Sequence, residues 1–383
     1  MSIKKMTVII FNIGITIFCI LLLFYYSPQL INNNNVAFAS PSSSDKTVSI
    51  MAVGDSIGYN INHEDLTNLE TIIHQNTDIF IFNLEGLLAK DSSFLDNNHS
   101  IEDCKGFPSY QSTFVTDSTF VDYLKLASIT IANLANNHVF DCGPKGIEET
   151  KRVLMEKDIL SVGAGQNLKE ACEPLVIQSN KGLRIVFVSY NFILEDLVSA
   201  QTNRAGGASI DNCNHDYDKI RLQNQADLII ASIHLGIWSP NVSKEQIDVV
   251  QYLFDSGVDI VIGHSPHIPQ AILKTTTTDE GGKEEEKLAF FNLGNFILRP
   301  DYNMPSEAHI TIVPELDIDT ESNLMSVTIY PVTIDNEGIP HLEERWNNGI
   351  INKVTKTSAE GFGTSINIRE NIGQISVKLQ HLE

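Results

Sequence analysis

Residues 259–267 read Asp-Ile-Val-Ile-Gly-His-Ser-Pro-His. A short, unbroken apolar run of β-branched side chains is what a strand buried on both faces requires. Gly263 and Pro266 end the run, and His264 and His267 fall in the loop that leaves its C-terminal end. The same construction recurs along the chain. Val48–Val53 ends in Gly54-Asp55, Asp78–Phe82 in Asn83-Leu84-Glu85, and Leu228–Ile233 in His234-Leu235-Gly236. Ile129–Ala132 leads to Asn136-Asn137-His138, with Asp141 close behind, and a late strand ends in Asn292-Leu293-Gly294-Asn295. Helical segments alternate with these strands: Leu66–His74, Phe120–Leu126, Pro144–Lys157 and Lys244–Asp255. Alternation of this kind predicts an α/β domain, and open α/β sheets collect ligands at the C-terminal ends of their strands.

One aspartate after a strand is commonly a turn or helix cap. Six donor groups gathered at one end of a sheet are harder to explain that way. Asp55, Glu85, Asn137, His234, His264 and His267 make two carboxylates, an amide oxygen and three imidazoles. That is a donor set for one or two divalent ions such as Mn, Zn or Fe, and a metal pair makes water a nucleophile at neutral pH. His138 stands outside the set as a candidate catalytic acid, with Asp141 orienting it or capping the next helix. Arg299 is the candidate contact to an anionic substrate. Asn292 and Asn295 read as residues that hold a loop through side-chain to backbone bonds.

The chain has 383 residues, with 26 Lys+Arg against 48 Asp+Glu and a net charge of −22. That balance argues against a nucleic-acid partner, which needs a basic surface. No charged residue occurs from Met6 to Ser44, and Thr7–Tyr26 is almost wholly apolar behind Lys4 and Lys5. Such a run is long enough, at helical rise, to cross a bilayer, and the lysines place the N-terminus inside. Residues 1–26 are therefore expected as a transmembrane anchor, 27–46 as a flexible linker, 47–300 as the α/β domain and 301–383 as its β-rich C-terminal part. Ala37-Phe38-Ala39 offers a competing reading as a signal cleavage site. Either way the rest lies outside the cytoplasm, and the anchor reading holds it at the cell membrane. Cys19 sits in the apolar run, while Cys104, Cys142, Cys172 and Cys213 follow it and permit two disulfides in three pairings. Lys274–Lys287 has no apolar residue and is expected as a solvated loop. From about residue 307 the helix signal disappears, leaving strands at Ala308–Val313 and Met325–Ile329 and a hairpin over Ser365–Leu379.

Taken in order, VGDSIGYN at 53–60, FNLEGLL at 82–88, LANNHVFDCGPKGIEET at 134–150 and VGAGQNLKEA at 162–171 resemble a known family. IHLG at 233–236, DIVIGHSPH at 259–267, FFNLGNFIL at 290–298 and the closing GFGTSINIRENIGQISVKL complete the series. The resemblance is to the capsule-synthesis protein CapA family, poly-γ-glutamate synthesis proteins of the calcineurin-like metallophosphoesterase superfamily, and covers about 47 to 380. It implies a four-layer αββα sandwich with the site at one edge of two packed sheets. By resemblance Asp55 is a first ligand, Glu85 stands where a bridging Asp is usual, and Asn137 and His138 are ligand and acid. His234 and His264 would complete a second metal, and His267 would return to the first. Ile57 occupies the place of a usual first-block His, Leu235 that of a common Trp and Ser265 that of a frequent His. The first metal position is thus one donor short. The implied function is a membrane-anchored, extracytoplasmic, metal-dependent hydrolase of capsule or poly-γ-glutamate assembly, acting on an anionic polymer or a phosphoester beside other capsule-synthesis membrane proteins. The alternative is a non-catalytic assembly or export factor that binds polymer through a degenerate metal site.

Overall fold

The computed structural model describes residues 36–38, 46–89, 113–278, 282, 284–299, 304–343, 350–369 and 372–379. The expected anchor, nearly all of the linker, Cys19 and Cys104 lie outside them. Among the described residues no helix is long and apolar enough to cross a membrane.

Two sheets carry the domain. In the first, strands β1 (Thr47–Ser56), β2 (Ile79–Leu84), β3 (Ile129–Asn133) and β4 (Leu160–Val162) run parallel, with helix α1 (Gly143–Glu156) between β3 and β4. In the second, β6 (Arg184–Asn191), β7 (Leu228–His234) and β8 (Ile260–His264) are parallel, β5 (Leu175–Gln178) pairs antiparallel to β6, and helix α2 (Lys244–Asp255) precedes β8. The second sheet continues through the hairpin β9 (Ile272–Thr278) and β10 (Glu284–Phe290), β10 lying beside β8. The short β11 (Asn295–Ile297) then crosses to pair with β1. The first sheet is extended antiparallel by β12 (Ile310–Asp319) and β13 (Leu324–Ile334). After helix α3 (Ile350–Phe362), β14 (Asn367–Arg369) and β15 (Ile372–Lys378) complete it.

Alternation along the strands builds the layers. Val48, Ile50 and Ala52 of β1 join Ile79 and Ile81 in one core with Ile185, Phe187, Ile230, Ile260 and Ile262 of the other sheet. Met51 and Val53 point the opposite way, into a second core with Phe80, Phe82, Leu66, Leu69, Phe120 and Leu154. The sheets therefore pack face to face, and helical segments cover the far side of the first. On α2, Gln246, Val250, Leu253 and Phe254 are buried behind a Ser243–Gln246 capping box.

Three expectations are corrected. Lys274–Lys287 is not a loop: the paired strands β9 and β10 run through it, Thr275 facing Lys287 and Thr278 facing Glu284. Threonine favours extended backbone, and Lys274 pairs with Glu286 at 2.8 Å. Lys287 is buried, held by Asp259 at 2.7 Å and Glu285 at 3.0 Å. Second, the helix signal does not end at residue 307, because α3 lies beyond it. Ile350, Ile351, Val354 and Ser358 fall on its buried face, a 3.6-residue period that polar neighbours obscure. The Ser358 and Thr364 hydroxyls accept hydrogen bonds from the outward amides of Ile272 and Lys274 on β9, at 2.8 and 2.9 Å. Third, the expected helices at Leu66–His74 and Phe120–Leu126 are 3₁₀ segments, His63–Thr71 and Ser118–Asp122. Cys172 and Cys213 form a disulfide, and Cys142 is disulfide-bonded too.

Aspartates at strand starts tie the layers together. Asp78 accepts the Ser49 amide at 2.9 Å and Lys181 at 2.7 Å. Asp259 accepts the Ile229 amide, Arg221 and Lys287, each at 2.7 Å. Burial pushes the Asp259 carboxyl up, but the Arg221 and Lys287 charges outweigh it and hold the group below its ordinary value. A depressed folded-state value stabilises the fold above the unfolded value of about 3.9 and loses that contribution as pH falls through the folded one. The urea midpoint of the wild type is expected to drop below about pH 4 more steeply than that of Asp259→Asn, which lacks this titration. Parallel acid limbs would contradict it.

Candidate metal centre

Asp55 ends β1, Glu85 follows β2, Asn137 and His138 follow β3, His234 ends β7, and His264 ends β8 with His267 three residues on. The backbone crosses tightly to bring them together. β1 and β11 approach so closely that Asp55 donates its amide to the Gly294 carbonyl at 3.1 Å. Ser265 and His267 have φ of 96° and 56°, the left-handed region that costs a non-glycine residue energy. That turn aims the Ser265 amide at Asp55, 3.3 Å away.

The donors converge on one buried space. Asp55, Glu85 and His267 each offer an atom within 4.8 Å of the others. His267 Nδ1 lies 3.1 Å from Asp55 Oδ2, and His264 Nδ1 lies 3.6 Å from Asp55 Oδ1. Glu85 Oε1 sits 3.7 Å from His234 Nε2, 4.0 Å from His138 Nε2 and 4.0 Å from His267 Nε2. Most of these separations are too long for hydrogen bonds. The 3.6 and 3.7 Å separations come near the edge between donors that share one ion, about 3.4 Å for a tetrahedron with bonds of about 2.1 Å, and those of 4.0 Å exceed it.

The polar atoms left over fit such an ion. Glu85 Oε2, Asn137 Oδ1 and both ring nitrogens of His264 are buried without a hydrogen-bond partner. Orphaned buried polar atoms are costly and rare. A cation would take up Glu85 Oε2 and one nitrogen of His264, whose other ring nitrogen points away from the same ion. Ile57 is buried and donates its backbone amide to the Ile297 carbonyl at 2.7 Å.

Electrostatics sort the residues into roles. Burial pushes the Asp55 carboxyl up, but the bond to His267 and its charge, joined by His234 and His264 only at the low pH where they are protonated, outweigh it and hold the group well below the usual range. Burial, then the Asp55 charge, raise Glu85 to about 7. Burial opposes protonation of His267, yet Glu85 and Asp55 raise it to about 9. Burial lowers His234 to about 3 and His264 to about 4, so both are neutral imidazoles, the form that ligates metal. Cation binding here must displace protons from His267 and Glu85. His138 is held at Nδ1 by Asp141 at 2.9 Å. Burial works against its protonation, and the Asp141 bond and charge overcome it and raise the pKa.

A layer of asparagines orients these groups, a part that the spacing of the motifs did not assign. Asn83 donates to Asp55 at 2.6 Å and receives bonds from Asn133 and Asn136 at 2.9 and 3.2 Å. Asn295 contacts His267 Nδ1 at 2.8 Å and donates to the Ala308 carbonyl at 3.0 Å. The signal was present as asparagine at the end of several apolar strands, where a polar side chain needs a buried partner. Asn292 holds its loop through the Ile268 carbonyl at 2.6 Å. Arg299 is exposed two residues after β11, and no contact among the described residues joins it to the cluster.

The sequence model of the family described as bacterial capsule synthesis protein PGA_cap matches residues 49–300. A capsule biosynthesis protein CapA of Bacillus anthracis is 26% identical over 241 residues, covering 60% of this chain and 56% of that protein. A PGA biosynthesis protein CapA of Bacillus subtilis (strain 168) is 26% identical over 183 residues, covering 48% of this chain and 46% of that one. The chain spans about half the length of the curated relatives it matches. Among solved structures, a 5'-nucleotidase precursor from Thermus thermophilus overlaps with a TM-score of 0.38 at 11% identity, over 77% of this chain and 53% of that one. The match over 49–300 takes in every residue of the buried cluster, and the chain belongs to the bacterial capsule synthesis protein family PGA_cap.

Proposed function

We propose that this chain is a divalent-metal-dependent phosphoester hydrolase of capsule or poly-γ-glutamate biosynthesis, held at the outer face of the cell membrane by residues 1–26. The convergence of Asp55, Glu85, His234, His264 and His267 around unpartnered buried donors carries the reading. Asn137 joins them through its buried Oδ1. The names of the Bacillus relatives supply the biological setting, and the Cys172–Cys213 disulfide suits an oxidising compartment.

A divalent cation held by these side chains supplies Lewis acidity and positive charge for an anionic ester. The protein's own groups do the rest. Asp141 fixes His138 through Nδ1 and leaves Nε2 facing the cluster. The raised pKa keeps a proton available there for a leaving oxygen. Asn295 and Asp55 fix His267 through Nδ1 and turn its Nε2 toward Glu85. A bound divalent cation would supply the positive charge that an anion needs to approach a chain whose net charge is −22.

Purified protein supplied with Mn²⁺ or Zn²⁺ is expected to hydrolyse a generic phosphodiester, and His138→Ala to lower kcat by roughly 10²- to 10⁴-fold while retaining its metal. Inactivity across metals and esters, beside an active control enzyme, overturns the catalytic reading. Capsule assembly that survives His138→Ala in cells points instead to an assembly or export factor, the reading that Ile57 in a donor's place would favour.

A further inference from the structure

Aromatic side chains stand beside the two histidines of the cluster that lie nearest to solvent. The Phe114 ring centroid is 4.3 Å from that of His138, and Tyr59 is 5.9 Å from Phe114. Trp238 meets His267 edge to face at 5.7 Å. Yet 48% of Trp238 and 77% of its neighbour Ile237 remain in water.

That exposure does not come from a slack loop. Before the pair, the Leu235 carbonyl accepts Gln246 at 3.3 Å and the Gly236 carbonyl accepts Ser265 at 3.0 Å. After it, the Ser239 and Asn241 carbonyls accept Gln270 at 2.9 and 3.0 Å. Gln246 and Gln270 are buried and hydrogen-bonded to each other at 2.8 Å. Gly236, at φ 117°, lies where a Cβ would meet Pro266 at 2.9 Å. The backbone is thus fixed on both sides, and the apolar pair is presented rigidly at the mouth of a polar site. A held, hydrated indole has a face that gains most when a ring covers it. Poly-γ-glutamate has no ring to offer.

We propose that Trp238 is a substrate platform, so that the phosphoester taken by this site carries a sugar or base ring next to its phosphate and is not an acyclic polymer. The inference rests on the phosphoester reading above. Non-hydrolysable probes test it by calorimetry on the full, Mn²⁺-loaded chain: a glucose phosphonate, an adenosine phosphonate and acyclic propylphosphonate. Trp238→Ala is expected to weaken a ring-bearing probe roughly tenfold or more, leave propylphosphonate unchanged, and be largely rescued in Trp238→Phe. Whichever of the sugar and base probes loses affinity identifies the ring. Equal weakening of all three, or none, overturns the platform and leaves the phosphoester reading standing. Failure of every phosphonate to bind the metal-loaded wild type overturns both.

Discussion

Asp55→Asn is expected to yield a folded protein that retains no divalent cation through dialysis and hydrolyses phosphodiesters at the background rate. Asp55 is wholly buried, and both carboxylate oxygens face the cluster. The bond and charge of His267 hold it ionised, so it brings a full negative charge to the shared space. The amide keeps the shape and removes that charge. It also turns an NH₂ toward either Asn83 or the Ser265 amide, both of which donate to the carboxylate. Loss of an outer partner that merely orients a metal ligand costs about 10- to 100-fold in affinity, and loss of a charged ligand exceeds that. Elemental analysis and kcat, measured beside near-ultraviolet circular dichroism, separate lost metal from lost fold. A variant that keeps its metal removes Asp55 from the ligand set.

Gly54→Ala, one residue away, is expected to fail differently, by unfolding. A Cβ at Gly54 would stand 1.8 Å from the Gly294 carbonyl oxygen and 2.7 Å from its carbon. Backbone has no rotamer to move, so β1 and β11 must separate. That separation pulls Asp55 from its Gly294 bond and shifts Asn295, which steadies His267. Forcing atoms into a filled space of this kind costs roughly 3 kcal/mol or more. A sharply lowered urea midpoint or insoluble expression is the expected result. Gly361→Ala is the control. Its Cβ meets nothing within 4 Å on α3, and helix propensity favours Ala by up to about 1 kcal/mol. A wild-type midpoint for Gly54→Ala would mean that the crossing of β1 and β11 is looser than it stands here.

The parts legible in the sequence were those whose chemistry is local. Asp78–Phe82 and Asp259–Ile262 announce buried strands because every residue after the opening aspartate is apolar. The donors stand out because each follows such a run. What escaped depends on partners far along the chain. Thr275–Thr278 and Glu284–Lys287 are polar on both faces and take strand form through each other and through distant partners such as Asp259 and the Lys378 amide. In α3 the buried stripe includes Ser358, a residue that looks solvated until its hydroxyl meets the Ile272 amide. Asn83 comes from the end of β2 and Asn133 and Asn136 from the end of β3, and their network with Asp55 exists only once β1, β2 and β3 lie side by side.

The hydroxyls of Ser358 and Thr364 also change how this molecule meets its own copies. β9 is the last strand of its sheet, and an outer strand with free amides is a template on which another chain can polymerise. Here two successive outward amides, those of Ile272 and Lys274, are already bonded to oxygens from α3 and the residues just after it. An incoming strand would have to displace these two bonds before it could pair at Ile272 and Lys274. At these two positions the edge is covered by a helix that also contributes Ile350, Ile351 and Val354 to the central core.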